Sequence, residues 1–260
     1  ALTVMTFNLR YAHTTPPDLW PDRRPAVREV IERAAPDLVG TQEGLYAQLV
    51  DLQADLPGYA WIGLGRDGGS RGEFMAIFYR RDRLEPLAYD HFWLSDTPAL
   101  VGSKTWGNNY PRMVTWVRFR DRRTGNELYA VNTHLDHESQ PSRLRGAALL
   151  RERVRALEPA LPTIVTGDFN VDAPTDTVYR ALTAPGAFTD TWTAAGNPEP
   201  PFGTYHAFGG VERARGTARI DWILTDDRLE TLDVRILTDA RDGQLPSDHF
   251  PVVARVRVRR

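Results

Sequence analysis

Short apolar runs rich in β-formers recur from one end of this chain to the other, each closed by turn residues, and no other feature restricts the fold as tightly. Residues 2–7, 38–41, 75–79, 113–119, 128–133, 163–166, 220–224, 234–237 and 252–258 all read as strands. Only three stretches carry helical spacing. Val27, Val30, Ile31 and Ala34 share a face over residues 25–34, where Pro25 suits a first helical turn. Leu45, Leu49, Leu52 and Leu56 do so over 45–56, and Leu144, Ala147, Leu150, Val154 and Leu157 over 144–157. Strands this frequent exclude a simple βα alternation, and helices this few exclude a doubly wound sheet. Two sheets packed face to face with helices outside, an α/β (α+β) sandwich, satisfy both limits.

The chain of 260 residues, 42% of them hydrophobic, has apolar material for a sizeable core. Residues 67–72 and 194–202 read as surface loops too short to link domains, so 1–260 is expected to form a single domain. No cysteine is present, which excludes disulfides, thiolate metal sites and a cysteine nucleophile. No run approaches the roughly 18 apolar residues that span a bilayer as a helix. A formal net charge of −2 argues against a non-specific grip on long nucleic acid. The basic groups at Arg23–Arg24, Arg80–Arg81, Arg122–Arg123 and the arginine-rich tail read as solvated surface. The sequence opens on Ala1 and runs straight into a strand. A residue or a leader is expected to precede it in the natural protein, so cytoplasmic and exported locations both stay open. A monomer is expected.

Polar residues able to bind a metal or a phosphate sit where apolar runs end. Asn8 closes the first run, Glu43 follows the second, His134 follows 128–133, and Asp168 and Asn170 follow 163–166. Asp221 lies inside 220–224, between apolar neighbours, and Asp248 and His249 come just before 252–258. One acid at a strand end is ordinarily a turn former or a cap; six such places call for another cause. Carboxylates brought together repel one another and lose hydration, and a divalent cation relieves both. Glu43, Asp168 and Asp248 with the amides of Asn8 and Asn170 offer hard oxygen donors, the set that Mg²⁺ favours and Mn²⁺ also accepts. Zinc would call for denser histidine or thiolate donors.

Read in order, TFNLR (6–10), TQE (41–43), NTHLDH (132–137), GDFN (167–170), RIDWI (219–223) and SDHFPV (247–252) resemble the motifs of the endonuclease/exonuclease/phosphatase superfamily over nearly the whole chain. NTHLDH and WGNNYPR (106–112) look most like bacterial stand-alone hydrolases near its deadenylase-like branch. The resemblance implies a four-layer α/β/β/α sandwich, DNase I-like, with the site at one end of the paired sheets. It implies Glu43 as main metal ligand with Asn8 and Asp248 beside it. Asp168 would orient or deprotonate the attacking water, and Asn170 would hold that water or a phosphate oxygen. His249, polarised by Asp221, and His134 would contact the phosphate. Arg112 pairs with either substrate phosphate or a structural acid, and Asn108 and Tyr110 of the same motif join it as substrate-binding candidates. Asp136 and His137 are either loop residues or site residues. The aromatics Trp106, Tyr110, Trp192, Tyr205, Phe208 and Trp222 either stack a base or serve as core and rim.

The expected activity is metal-dependent hydrolysis of a phosphoester by a phosphodiesterase or nuclease, on nucleotides or short nucleic acid. Two alternatives remain. One keeps the chemistry on a lipid or sugar phosphate; the other is a binding module that keeps the fold without turnover.

Overall fold

The computed structural model describes residues 1–259. Among them, twelve strands form two six-stranded sheets. In the first the order is β11 (Leu229–Ile236), β12 (Val252–Val258), β1 (Leu2–Asn8), β2 (Leu38–Gln42), β4 (Ile77–Arg80), β3 (Tyr59–Ile62). In the second it is β5 (Leu84–Trp93), β6 (Met113–Asp121), β7 (Glu127–His134), β8 (Thr163–Ala173), β10 (Arg219–Thr225), β9 (Thr189–Asp190). Each sheet holds one parallel pair, β1 with β2 and β7 with β8, and is otherwise antiparallel. A parallel pair needs a long crossover. Helix α1 (Trp20–Ala34) supplies the first and α3 (Gln140–Arg155) the second.

Three apolar clusters make the four layers. The central one joins the two sheets through Val4, Leu38, Ala130, Ile164, Ile223 and their neighbours. A second packs α3 and α4 (Thr177–Leu182) on the outer face of the second sheet, and a third packs α1 and α2 (Tyr46–Asp55) on the outer face of the first. The expected sandwich is therefore present. Two helices begin earlier than their apolar spacing indicated. In α1, Pro21 takes the first-turn place and Pro25 lies inside the helix; Ala35 ends it in the left-handed conformation. In α3, the Ser139 side chain caps the first turn ahead of Leu144. No helix among the described residues is long and apolar enough to cross a membrane.

The period of two along a strand explains where the polar residues go. On the inner face of β1, Leu2 and Val4 belong to the sheet–sheet core and are followed by Thr6 and Asn8, while Met5 and Phe7 face the helices. Strands β2, β7 and β8 repeat the sequence: Leu38, Gly40, Gln42; Ala130, Asn132, His134; Ile164, Thr166, Asp168. The inter-sheet space thus turns from oily to polar towards one end. Halfway, Gln42 Nε2 donates to Thr6 Oγ1 at 3.1 Å and Asn132 Oδ1 at 2.7 Å, and Asn132 Nδ2 donates to the carbonyls of Thr41 and Ala76. Gly40 lets the sheets close over this layer, since a Cβ there would fall 1.9 Å from Thr166 Oγ1.

Candidate active site

Strand register assembles the first part of the site. His134 of β7 pairs with Asp168 of β8, and Asp168 pairs with Asp221 of β10, so three inward side chains stand in one row across the second sheet. The first sheet contributes from the opposite side. Asn8 Nδ2 donates to Glu43 Oε1 at 3.0 Å and to Asp168 Oδ2 at 2.9 Å. His249, in the turn leading to β12, reaches across the gap, its Nδ1 2.9 Å from Asp221 Oδ2 and its Nε2 3.8 Å from Asp168 Oδ2. His134 Nε2 is 3.4 Å from the same Asp168 oxygen. Asn170 N donates to Asp168 Oδ1 at 3.0 Å, and the Asn170 amide nitrogen is tied to the Leu135 carbonyl, leaving its oxygen as the free pole.

Three residues around this centre hold left-handed backbone without being glycine: Arg10 (φ 54°), Glu43 (φ 62°) and Asn170 (φ 53°). Asparagine tolerates this readily; for arginine and glutamate it costs about 1–3 kcal/mol each and persists only where the surroundings enforce it. Tyr11 N donates to Glu43 Oε2 at 3.2 Å, and Arg10 stands 3.7 Å from Glu43 Oε2 and 3.6 Å from Asp248 Oδ2. Arg23 does the enforcing below. It is fully buried and donates to the carbonyls of Leu9, Arg10, Asp18 and Pro246. Reading Arg23 as solvated surface is therefore corrected: an apolar helix face can carry a guanidinium when loop carbonyls wait for it.

Glu43, Arg112, Tyr110, His134, His137, Asp168, Asn170, Asp248 and His249 line one cavity of about 500 Å³. Asn8 and Asp221 lie just beneath it, fully buried. Asn108 is not on its wall; its amide donates to the Tyr110 carbonyl at 2.6 Å and shapes the turn that carries Tyr110. Arg112 is buried, with His137 Nδ1 2.8 Å from Nη2, Asp136 Oδ2 3.5 Å from Nε, and Nη1 without a partner. Asp136 Oδ1 also takes the backbone N–H groups of Glu138 and Ser139, so it shapes the chain ahead of α3. Trp192 and Trp222 are core, the latter stacked on Phe169 at 4.3 Å, whereas Tyr110 and Tyr205 stand 47% and 46% exposed at the rim.

Burial, then the neighbouring Asp221 charge, push the Asp168 carboxyl up to about 7. Asp248 is raised by burial and by Glu43. His249 stays charged well above the usual histidine range because Asp221 and Asp168 outweigh its burial. Burial and Arg112 hold His134 neutral. Two further cavity residues, Arg66 and Glu73, carry charge yet escaped the sequence reading because they flank a turn rather than end an apolar run. Opposite charges placed symmetrically about the DGGSRG turn were the one available signal. Burial and Glu43 raise the Glu73 carboxyl to about 7.

Ligand atoms of Glu43, Asp168 and His249 lie within 4.8 Å of one another. A dication suits this place on two counts: Asp168 and Asp248, whose charge is disfavoured, crowd it, and the positive end of the Asn8 amide already occupies the gap between Glu43 and Asp168. Ligation through the Asn8 oxygen requires that amide to turn over. While charged, His249 offers no lone pair at Nε2, and the neighbouring donors are then the oxygens of Glu43, Asp168 and Asp248.

A row of buried acids and histidines at the end of two facing sheets, opening into one polar cavity, defines a DNase I-like α/β sandwich of the phosphoester-hydrolase class. Residues 5–249 match the Endonuclease/Exonuclease/phosphatase family, and the chain belongs to it. Members of this family are phosphoester hydrolases. Among solved structures, a mannosyl-6-phosphatase of Bacteroides thetaiotaomicron is 35% identical over 99% of this chain and 100% of its own, with a TM-score of 0.92. An endonuclease/exonuclease/phosphatase from Bacteroides vulgatus is 33% identical over 99% of both chains, with a TM-score of 0.91. The human Nocturnin catalytic domain shares the fold, at 20% identity over 99% and 94% of the two chains and a TM-score of 0.78. No curated protein matches the chain.

Proposed function

We propose that this protein is a Mg²⁺-dependent phosphomonoesterase acting on a small sugar phosphate. The observation that carries the reading is the cavity: about 500 Å³, with the acid–histidine centre at its floor and charged groups on its walls. That volume suits one small polar substrate. The net charge of −2 offers no surplus for gripping a long polyanion. The full-length likeness to a mannosyl-6-phosphatase points the same way.

Glu43, Asn8 and Asp248 would hold the metal, which when bound offsets charge gathering on the phosphoryl oxygens, with Mn²⁺ able to substitute. Arg112, through its unpartnered Nη1, neutral His134 and the His249 imidazolium bind the phosphate oxygens. Asn170 orients the attacking water, and Asp168 takes its proton at Oδ2 as the new P–O bond forms; a carboxyl near 7 suits that transfer. As the bond to the alcohol breaks, its oxygen takes the Nε2 proton of the His249 imidazolium; free sugar and inorganic phosphate leave, and the proton on Asp168 Oδ2, 3.8 Å away, returns His249 to its charged form. Asp221 keeps His249 charged and aimed.

The exposed rings of Tyr110 and Tyr205 favour a second reading, in which they stack a base and the substrate is a nucleotide or short nucleic acid. Phosphate release from hexose 6-phosphates and nucleoside monophosphates, and strand cleavage of short oligonucleotides, with Mg²⁺ and with EDTA, decide between them. Hexose phosphates should be the best substrates and EDTA should abolish turnover. Cleavage of oligonucleotides with sugar phosphates inert would replace the first reading with the second.

A further inference from the structure

The hairpin over residues 65–74 is built to hold two opposite charges beside the phosphate pocket. Arg66 N donates to the Glu73 carbonyl at 2.9 Å, so the two residues face each other across the turn. The turn is tight: a Cβ on Gly65 would fall 2.0 Å from the Arg71 carbonyl oxygen, and Gly72 sits at φ +74° with its Cβ position 2.2 Å from Asp67 Oδ2. The hairpin is fastened at both sides. Phe74 N donates to the Gly44 carbonyl, next to Glu43, and Trp93 Nε1 donates to the Arg66 carbonyl at 2.7 Å.

From this frame, Arg66 Nη1 bonds Glu73 Oε2 at 2.7 Å, and the Tyr110 ring lies over the guanidinium at 4.9 Å. Arg66 Nε is buried without a partner. Glu73 Oε2 is 4.0 Å from His134 Nδ1, itself buried and unpartnered, which sets the pair one step from the proposed phosphate contact. Arg66 and Glu73 line the same cavity, so they are within reach of an alcohol attached to a phosphate held there. A sugar hydroxyl both donates and accepts, and neighbouring hydroxyls of a pyranose match a carboxylate acceptor set beside a guanidinium donor.

We propose that Arg66 and Glu73, backed by Tyr110, form the subsite that reads the hydroxyls of the sugar and so determine the alcohol the enzyme accepts. The assignment rests on the sugar-phosphate reading above. Its structural competitor is an ion pair that merely staples the hairpin.

The test measures hexose 6-phosphate KM and the inhibition constant of inorganic phosphate, which has no alcohol part, for wild type, Glu73→Gln and Arg66→Lys. Both variants should raise the sugar-phosphate KM by about tenfold or more, since a polar site left unpaired discriminates strongly, while phosphate inhibits as before. Unchanged KM in both variants, or weakening of phosphate by the same factor as the sugar phosphate, overturns the subsite and leaves a staple. If Glu73→Gln does not fold, Arg66→Lys decides by the same criterion. Should wild type hydrolyse no sugar phosphate while cleaving other phosphoesters, the functional reading itself fails, and the subsite with it.

Discussion

At Asp168 a single oxygen, Oδ2, faces three neighbours: Asn8, His134 and His249. Its protonation therefore governs both reactivity and stability. Asp168→Asn keeps shape and removes the proton acceptor, so kcat should fall by about 10²–10⁴-fold. The stability effect has the opposite sign. A carboxyl raised from the ordinary range to about 7 contributes stability while protonated, and loses it as pH climbs from about 4 through 7. In EDTA, the Asn variant should melt increasingly above wild type over that range; parallel melting curves at pH 5 and pH 7.5 would refute the assigned shift. Asp221 acts at one remove. Its charge is the largest cause keeping His249 protonated against burial. In Asp221→Asn the imidazolium should be lost at lower pH, moving the alkaline limb of the pH–rate profile down. A limb that stays in place would mean another group sets it.

At the scale of elements, the site depends on register and on how closely two sheets approach. The polar layer of Gln42, Asn132 and Thr166 fits only because position 40 has no side chain. Gly40→Ala must separate β2 from β8 or break the Asn132 bonds. Overpacking with loss of buried hydrogen bonds should cost about 3 kcal/mol or more. Urea denaturation should register that loss, and a change under about 0.5 kcal/mol would show the sheets slide freely. This scale also separates what was legible from what was not. Asn8, Glu43, His134, Asp168, Asp221 and His249 were readable because each follows, interrupts or directly precedes an apolar run. GDFN read as a strand end, yet β8 continues to Ala173, since Val171 and Ala173 still bury on the helix side. Strand β5 went unread because its middle, from Pro86 to Asp90, is largely exposed at the sheet edge. The His134–Asp168–Asp221 row needs strand pairing, which one sequence does not display. Arg66 and Glu73 were hidden for a different reason: turn chemistry masks the two positions that a turn brings together.

Across the whole molecule, the functional groups are divided between the sheets. Asn8, Glu43 and His249 belong to the first or to its connections, and His134, Asp168, Asn170 and Asp221 to the second. The proposed ligands Asn8, Glu43 and Asp248 all stand on the first sheet and its connections, facing the second, and an unfolded chain scatters these donors over 240 residues, from Asn8 to Asp248. Binding to the native state alone stabilises it by RT ln(1 + [L]/Kd), about 2.7 kcal/mol at a hundredfold excess over Kd. For a chain of this size each kcal/mol moves the midpoint by about 2–4 °C, so saturating Mg²⁺ should raise Tm by about 5–10 °C over EDTA at matched ionic strength. Glu43→Gln keeps the Asn8 contact but removes the charge that a dication needs, and should abolish most of that rise. Because the readout is unfolding and not turnover, it separates an ion that the folded chain holds by itself from one that merely accompanies substrate. A variant that melts with the full Mg²⁺ shift would place the ion elsewhere, and wild type with no shift would deny the folded chain a metal site of its own.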